Sequence, residues 1–196
     1  MSLVSLGSIR EEIRAHASNS WARDLGYEPL YAAGPAARIV IVGQAPGRHA
    51  QESRVPWDDA SGGTLRAWLG VDRTTFYDPN RIALLPMDFY YPGTGTHGDL
   101  PPRKDFAARW HPRILAHLDR VELTLLVGSY AQRHYLGAAA KRNLTETVRA
   151  GSEYLPDYLP IVHPSPLNFR WQARNPWFRE TAIPALQGSV QLVLQS

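Results

Sequence analysis

Four short runs of branched apolar residues punctuate this chain: Arg38-Ile39-Val40-Ile41-Val42-Gly43, Ile82-Ala83-Leu84-Leu85, Leu123-Thr124-Leu125-Leu126-Val127-Gly128 and Leu159-Pro160-Ile161-Val162-His163. None of them alternates apolar with polar residues. Unbroken β-branched runs bounded by glycine, proline or histidine predict strands buried on both faces. Stretches of helical pattern separate them, at Thr64–Leu69, Pro102–Leu118 and Ser129–Leu136. A further helix is predicted over Ser8–Asn19, and Asn175-Pro176 opens a last one, since proline is tolerated in a first turn.

Strands alternating with helices predict an α/β fold: a three-layer α/β/α sandwich around a central, mainly parallel four-stranded sheet. A chain of 196 residues, 44% of them hydrophobic, is expected to form one domain over residues 1–196. Sheets of this kind carry their sites beyond the carboxyl ends of the strands. Gln44, the segment after Leu85, Gly128-Ser129 and His163-Pro164-Ser165 should therefore share one rim.

Composition narrows the chemistry. With no cysteine, thiolate metal sites, iron–sulfur clusters and cysteine nucleophiles are excluded. The histidines at 16, 49, 97, 111, 117, 134 and 163 show no ligand-like pairing, so neither a metal nor another cofactor is expected. Met1-Ser2-Leu3-Val4-Ser5-Leu6-Gly7 lacks the features of a secretory leader, and no run approaches a membrane span, so a cytoplasmic monomer is the expectation. The net charge is +3 and the isoelectric point about 9.3, a balance that permits nucleic-acid binding.

Two segments stand out at strand ends. The first is Gly43-Gln44-Ala45-Pro46-Gly47, followed after a polar loop by Val55-Pro56-Trp57-Asp58-Asp59-Ala60-Ser61-Gly62-Gly63. Its glycines and proline make a tight turn whose amides can approach a planar ligand or a phosphate. Trp57 can either stack on a base or pack beneath its loop; Asp58 and Asp59 can either cap the following helix or face a substrate. The second segment is His163-Pro164-Ser165-Pro166-Leu167-Asn168. Prolines on both sides of a serine stiffen a loop that can hold a phosphate, and Leu167 can project from it as an apolar wedge.

Together these segments resemble the uracil-DNA glycosylase superfamily, whose first motif reads Gly-x-x-Pro-Gly or Gly-Gln-Asp-Pro-Tyr and whose last reads His-Pro-Ser-Pro-Leu. Val55-Pro56-Trp57 is similar to its Val-Pro-Phe or Arg-Pro-Phe segment, and Arg66-Ala67-Trp68-Leu69-Gly70 to the stretch that follows in the single-strand-selective branch. The ordered motifs extend from about Arg38 to Leu186. Two departures mark a divergent branch without an iron–sulfur cluster. Ala45 stands where the Gly-Gln-Asp-Pro-Tyr branch has its water-activating Asp, and Leu84-Leu85-Pro86-Met87-Asp88 has no Asn where the superfamily reads uracil.

The resemblance implies an enzyme that flips uracil out of single- or double-stranded DNA and hydrolyses its bond to the sugar. His163 would donate to the oxyanion developing on the base, and Asp59, Asp58 or Asp88, in that order, would replace the missing carboxylate. Gln44, Ala45, Trp57 and Asp88 would contact the base, with Leu167 filling the gap in the helix. Ser165, Pro166 and cations drawn from Arg48, Arg54, Arg103, Lys104, Arg170 and Arg174 would hold the DNA. Hypoxanthine, xanthine or mismatched bases are alternative substrates, and a non-catalytic nucleic-acid-binding homologue is an alternative role. An unrelated phosphate-binding fold is disfavoured because no GxxxxGK[ST] loop is present.

Overall fold

The computed structural model describes residues 5–96 and 98–196. The expectations that touch Met1–Val4 and His97 lie outside the described residues. Among the described residues, six strands occur in chain order: β1 (Ile39–Val42), β2 (Ile82–Leu84), β3 (Thr94–Gly95), β4 (Gly98–Asp99), β5 (Leu123–Val127) and β6 (Tyr158–Ile161). The α-helices are α1 (Leu6–Ala15), α2 (Ser20–Asp24), α3 (Arg48–Ser53), α4 (Ala60–Leu69), α5 (Arg73–Tyr77), α6 (Phe106–Leu115), α7 (Ser129–Leu136), α8 (Leu144–Arg149), α9 (Phe169–Arg174) and α10 (Ile183–Gln195).

The four apolar runs form one parallel sheet in the order β2-β1-β5-β6. Because both faces are covered, successive residues of a strand enter different cores. Val40, Val42, Ala83 and Leu126 pack with Ile9, Ile13, Trp110 and Ile114 of α1 and α6 on one side. Ile39, Ile41, Leu84 and Leu125 pack with Leu65, Leu69, Leu186 and Val190 of α4 and α10 on the other. The result is the three-layer α/β/α sandwich that the unbroken runs predict. Pro160 pairs with Leu126 in β6, where an edge strand tolerates the missing N–H.

Helix limits differ from the sequence pattern in instructive ways. α4 starts at Ala60 rather than Thr64, because Asp59 caps it: its side chain accepts the Gly62 N–H at 2.8 Å. The predicted helix over 8–19 ends at Ala15, and a separate turn and α2 follow. α3 and α9 and the β3–β4 hairpin have no counterpart in the hydrophobic pattern. Each is short, and α9 contains no buried residue, so none leaves a periodic trace.

Chain order places the site. From β1 the chain crosses to β2 on one flank, whereas β5 leads to β6 on the other, so the switch in direction lies between β1 and β5. Crevices form at such points beyond the strands' carboxyl ends.

Candidate active site

A cavity of about 360 Å³ opens at that rim. The β1 turn, the Pro56–Ser61 loop, the β3–β4 hairpin and the loop after β6 all contribute to its wall. The turn after β1 is tied to its neighbour, since the Gly43 carbonyl accepts the Met87 N–H at 2.9 Å and the Gln44 carbonyl that of Asp88 at 3.2 Å.

Trp57 is seated by two glycines. A Cβ on Gly43 would lie 2.6 Å from Cζ2 of the indole, so the ring rests directly on the β1 turn. A Cβ on Gly62 would lie 1.8 Å from the Trp57 carbonyl oxygen. Trp57 itself has φ of 58°, a left-handed conformation that a bulky residue adopts only when its surroundings impose it. Sequence left open whether this ring faces the site or packs under its loop. It does both, being half-buried against the α4-side core while forming part of the cavity wall.

His163 lies beside it, with ring centroids 5.6 Å apart and planes at 31°. Its Nδ1 accepts the Ser165 N–H at 3.2 Å. A neutral ring bound in this way carries its proton on Nε2. Burial pushes the imidazole below its ordinary pKa, and the negative charge of Asp59 opposes that shift without reversing it. Asn168 braces the loop by donating to the His163 carbonyl at 2.7 Å, and the Ser165 hydroxyl accepts the Leu167 N–H at 3.2 Å. The Pro-Ser-Pro turn thus holds a neutral histidine in one direction.

Of the residues singled out by sequence, Gln44, Ala45, Trp57 and Asp59 line the cavity from one side, and His163, Ser165 and Leu167 from the other. Leu167 is 85% exposed, the most exposed large apolar residue among the described residues, and Phe169 near it is 62% exposed. Pro166 is exposed next to them, outside the cavity wall.

The remaining residues singled out by sequence lie outside the cavity wall. Asp88 is 1% exposed, and Arg103 grips both its oxygens, Nε to Oδ2 at 2.6 Å and Nη2 to Oδ1 at 2.8 Å. A carboxylate held in a buried fork is not placed to meet a base, and it is absent from the cavity wall. Arg103 is equally committed, donating also to Asn19 Oδ1 at 2.7 Å and to the Ser18 carbonyl at 3.0 Å. Asp58 is half-buried, 3.8 Å from Arg73 and 4.0 Å from His49, and is likewise outside the wall. Arg48 leads α3 at the cavity's edge, where it donates to Thr94 Oγ1 at 3.3 Å. Arg170 sits over the exposed Phe169 ring, 5.6 Å from its centroid. Arg54, Lys104 and Arg174 are exposed.

The structure adds one residue that sequence did not single out, and it brings in the segment after Leu85 expected on this rim. Asp99 enters the wall from the β3–β4 hairpin, and Pro86 enters it from the end of β2. The only trace of the hairpin in the sequence is the glycine-rich stretch Gly93–Gly98, which reads as loop. Behind Pro86, the buried His111 contacts its carbonyl through Nε2 at 3.0 Å and the Tyr135 hydroxyl through Nδ1 at 2.7 Å.

The parallel sheet thus carries, at its switch point, a cavity walled by an aromatic ring and by a histidine whose pKa burial lowers. A model of the uracil DNA glycosylase superfamily matches residues 31–187, and the chain belongs to that superfamily. Its class is therefore that of the DNA glycosylases, hydrolases of base excision repair.

Proposed function

We propose that this protein excises uracil from DNA, acting as a cytoplasmic monomer without a metal or other cofactor, and leaves an abasic site. The observation that carries this proposal is His163, neutral, protonated on Nε2 and held beside Trp57 in the cavity. Cleavage puts negative charge on the ring oxygen between the two uracil nitrogens. A fixed N–H aimed at that oxygen stabilises the transition state more than the ground state.

The remaining wall residues have compatible roles. The indole of Trp57 offers a face for the flipped base, and Gln44 an amide for its edge. Asp59, its Oδ1 fixed by the α4 cap, presents negative charge toward the sugar as positive charge develops there. Leu167 projects far enough to occupy the space that the flipped nucleotide leaves. The Ser165 hydroxyl, still free to donate, and the exposed Arg170 suit phosphates.

A second reading follows from Pro86. Where the superfamily resemblance places a uracil-reading Asn, this wall presents a proline whose carbonyl is engaged by His111. Without an amide there, hypoxanthine or xanthine competes with uracil as the preferred base.

Single-turnover cleavage of oligonucleotides bearing uracil, hypoxanthine, xanthine or a G·T mismatch tests both readings. Uracil is expected to be released fastest, leaving an alkali-labile abasic site. Faster release of a deaminated purine would shift the assignment to the second reading. Tight binding without release of any base would make the protein a non-catalytic homologue.

A further inference from the structure

Asp59 and Asp99 approach the cavity from unrelated parts of the chain and meet at Gly47. A Cβ built on Gly47 would lie 3.9 Å from Oδ2 of Asp59 and 3.9 Å from Oδ2 of Asp99. Both oxygens being that near one point, they are no more than about 8 Å apart, so two carboxylates from different parts of the chain serve one corner of the cavity. Gly47 follows Ala45 by two residues, so the pair stands beside the position where the superfamily resemblance would have put a single Asp.

Asp99 is held there by construction. Tyr91 and Arg48 both reach Thr94 Oγ1, at 2.5 and 3.3 Å, and fasten β3 to the rest of the rim. The buried Gln51 of α3 accepts the Tyr91 N–H at 2.8 Å. Thr94 pairs with Asp99 across the hairpin, and the Leu100 N–H closes it onto the Gly93 carbonyl at 2.9 Å.

On the basis of the glycosylase reading above, we infer that Asp99 is a second catalytic carboxylate, the general base for the attacking water. The two carboxylates divide the work. Asp59 has one oxygen committed to the α4 cap and faces His163, which suits electrostatic support of the sugar. Asp99 reaches the same point beside Gly47 from the β3–β4 hairpin, and no side chain accepts or donates a hydrogen bond at its carboxylate among the described residues. In the reaction, the bond between C1′ and the base nitrogen breaks and its electron pair leaves with the base, whose anion His163 stabilises through Nε2–H. A water oxygen bonds to C1′ while Asp99 takes one of its protons. That proton then passes through solvent to the released base, leaving a C1′ hydroxyl and a neutral base.

Two measurements test Asp99. In single-turnover cleavage, Asp99→Asn is expected to be roughly 10²–10⁴-fold slower than the parent while binding the same oligonucleotide normally. Gly47→Ala, whose methyl meets only ordinary contact distances and whose φ of −72° suits any residue, is expected to fold and to cleave roughly 10²-fold more slowly, because the methyl would stand 3.9 Å from both carboxylate oxygens and take space there from water and sugar. The second measurement needs no turnover. An abasic oligonucleotide with a protonated pyrrolidine ring carries the sugar's developing charge, whereas its tetrahydrofuran counterpart is neutral. The parent is expected to prefer the cationic ring, and Asp99→Asn to lose roughly tenfold of that preference. Parental cleavage rates in an active Asp99→Asn enzyme would overturn the inference and leave the glycosylase reading standing. If the parent cleaves no base, the glycosylase reading fails, and the pyrrolidine preference alone decides Asp99: lost in Asp99→Asn, the placement holds; unchanged, it is wrong.

Discussion

The backbone N–H of Ser165 donates to Nδ1 of His163 at 3.2 Å, and this one contact selects the tautomer that points a proton from Nε2. The same rigid turn that aims the ring also chooses which nitrogen is the donor.

His163→Ala should therefore bind uracil DNA almost as the parent does and cleave it roughly 10²–10³-fold more slowly, the usual cost of one oxyanion donor. Because burial lowers the pKa of His163, the neutral form persists below the ordinary value of 6.5. Its contribution is present at neutral and alkaline pH, and is lost only in acid, when a proton on Nδ1 would oppose the Ser165 N–H. Single-turnover rates between pH 5 and 9 should show no loss attributable to this group on the alkaline side. A rate that falls as pH rises through about 6.5 would mean that the charged ring is the active form.

Gly43→Ala offers a test of Trp57 that leaves the tryptophan in place. With Cζ2 only 2.6 Å from the added methyl, the indole has to leave its seat. Trp57→Ala should weaken handling of the flipped base by roughly 1–3 kcal/mol, the range for base–aromatic stacking. Gly43→Ala should lose a substantial part of the same affinity for uracil-containing oligonucleotides. Equal binding by Gly43→Ala and the parent would show that the observed ring position is not needed.

Leu167→Ala should leave stability within about 0.5 kcal/mol of the parent, since the side chain is 85% exposed. Its effect should appear on duplex substrate far more than on single-stranded substrate, because only a duplex has a gap to fill. Equal losses on the two substrates would remove the wedge role.

His111 links the cavity wall to folding. Burial pushes its pKa down to about 4, against 6.5 ordinarily, so the unfolded chain binds this proton more readily than the folded one. The stabilisation is fully present above about pH 6.5 and is lost as pH falls toward 4, by about 3 kcal/mol in all. Urea midpoints of the parent should fall across that window more steeply than those of His111→Asn. Parallel pH profiles would show that the group does not titrate between the two states.

The sequence by itself determined the sheet, because strands buried on both faces must be continuously apolar, and Ile39–Val42 and Leu123–Val127 could be little else. It also determined that Gln44, Pro86 and His163 lie on one rim, since parallel strands bring their carboxyl ends together, whereas the direction of Trp57 stayed open. The Asp59 cap was legible as an acidic residue just ahead of a helix. Tertiary structure alone decided which carboxylates reach the cavity. Asp58, Asp59 and Asp88 are equivalent in type and near one another or near a strand end, but the first lies 3.8 Å from Arg73 outside the wall, Arg103 grips the third, and the second caps α4 and lines the cavity. Asp99 carried no signal, because a two-residue strand in a glycine-rich turn has no periodicity to read. Side-chain direction depends on partners distant in sequence, and no local pattern encodes it.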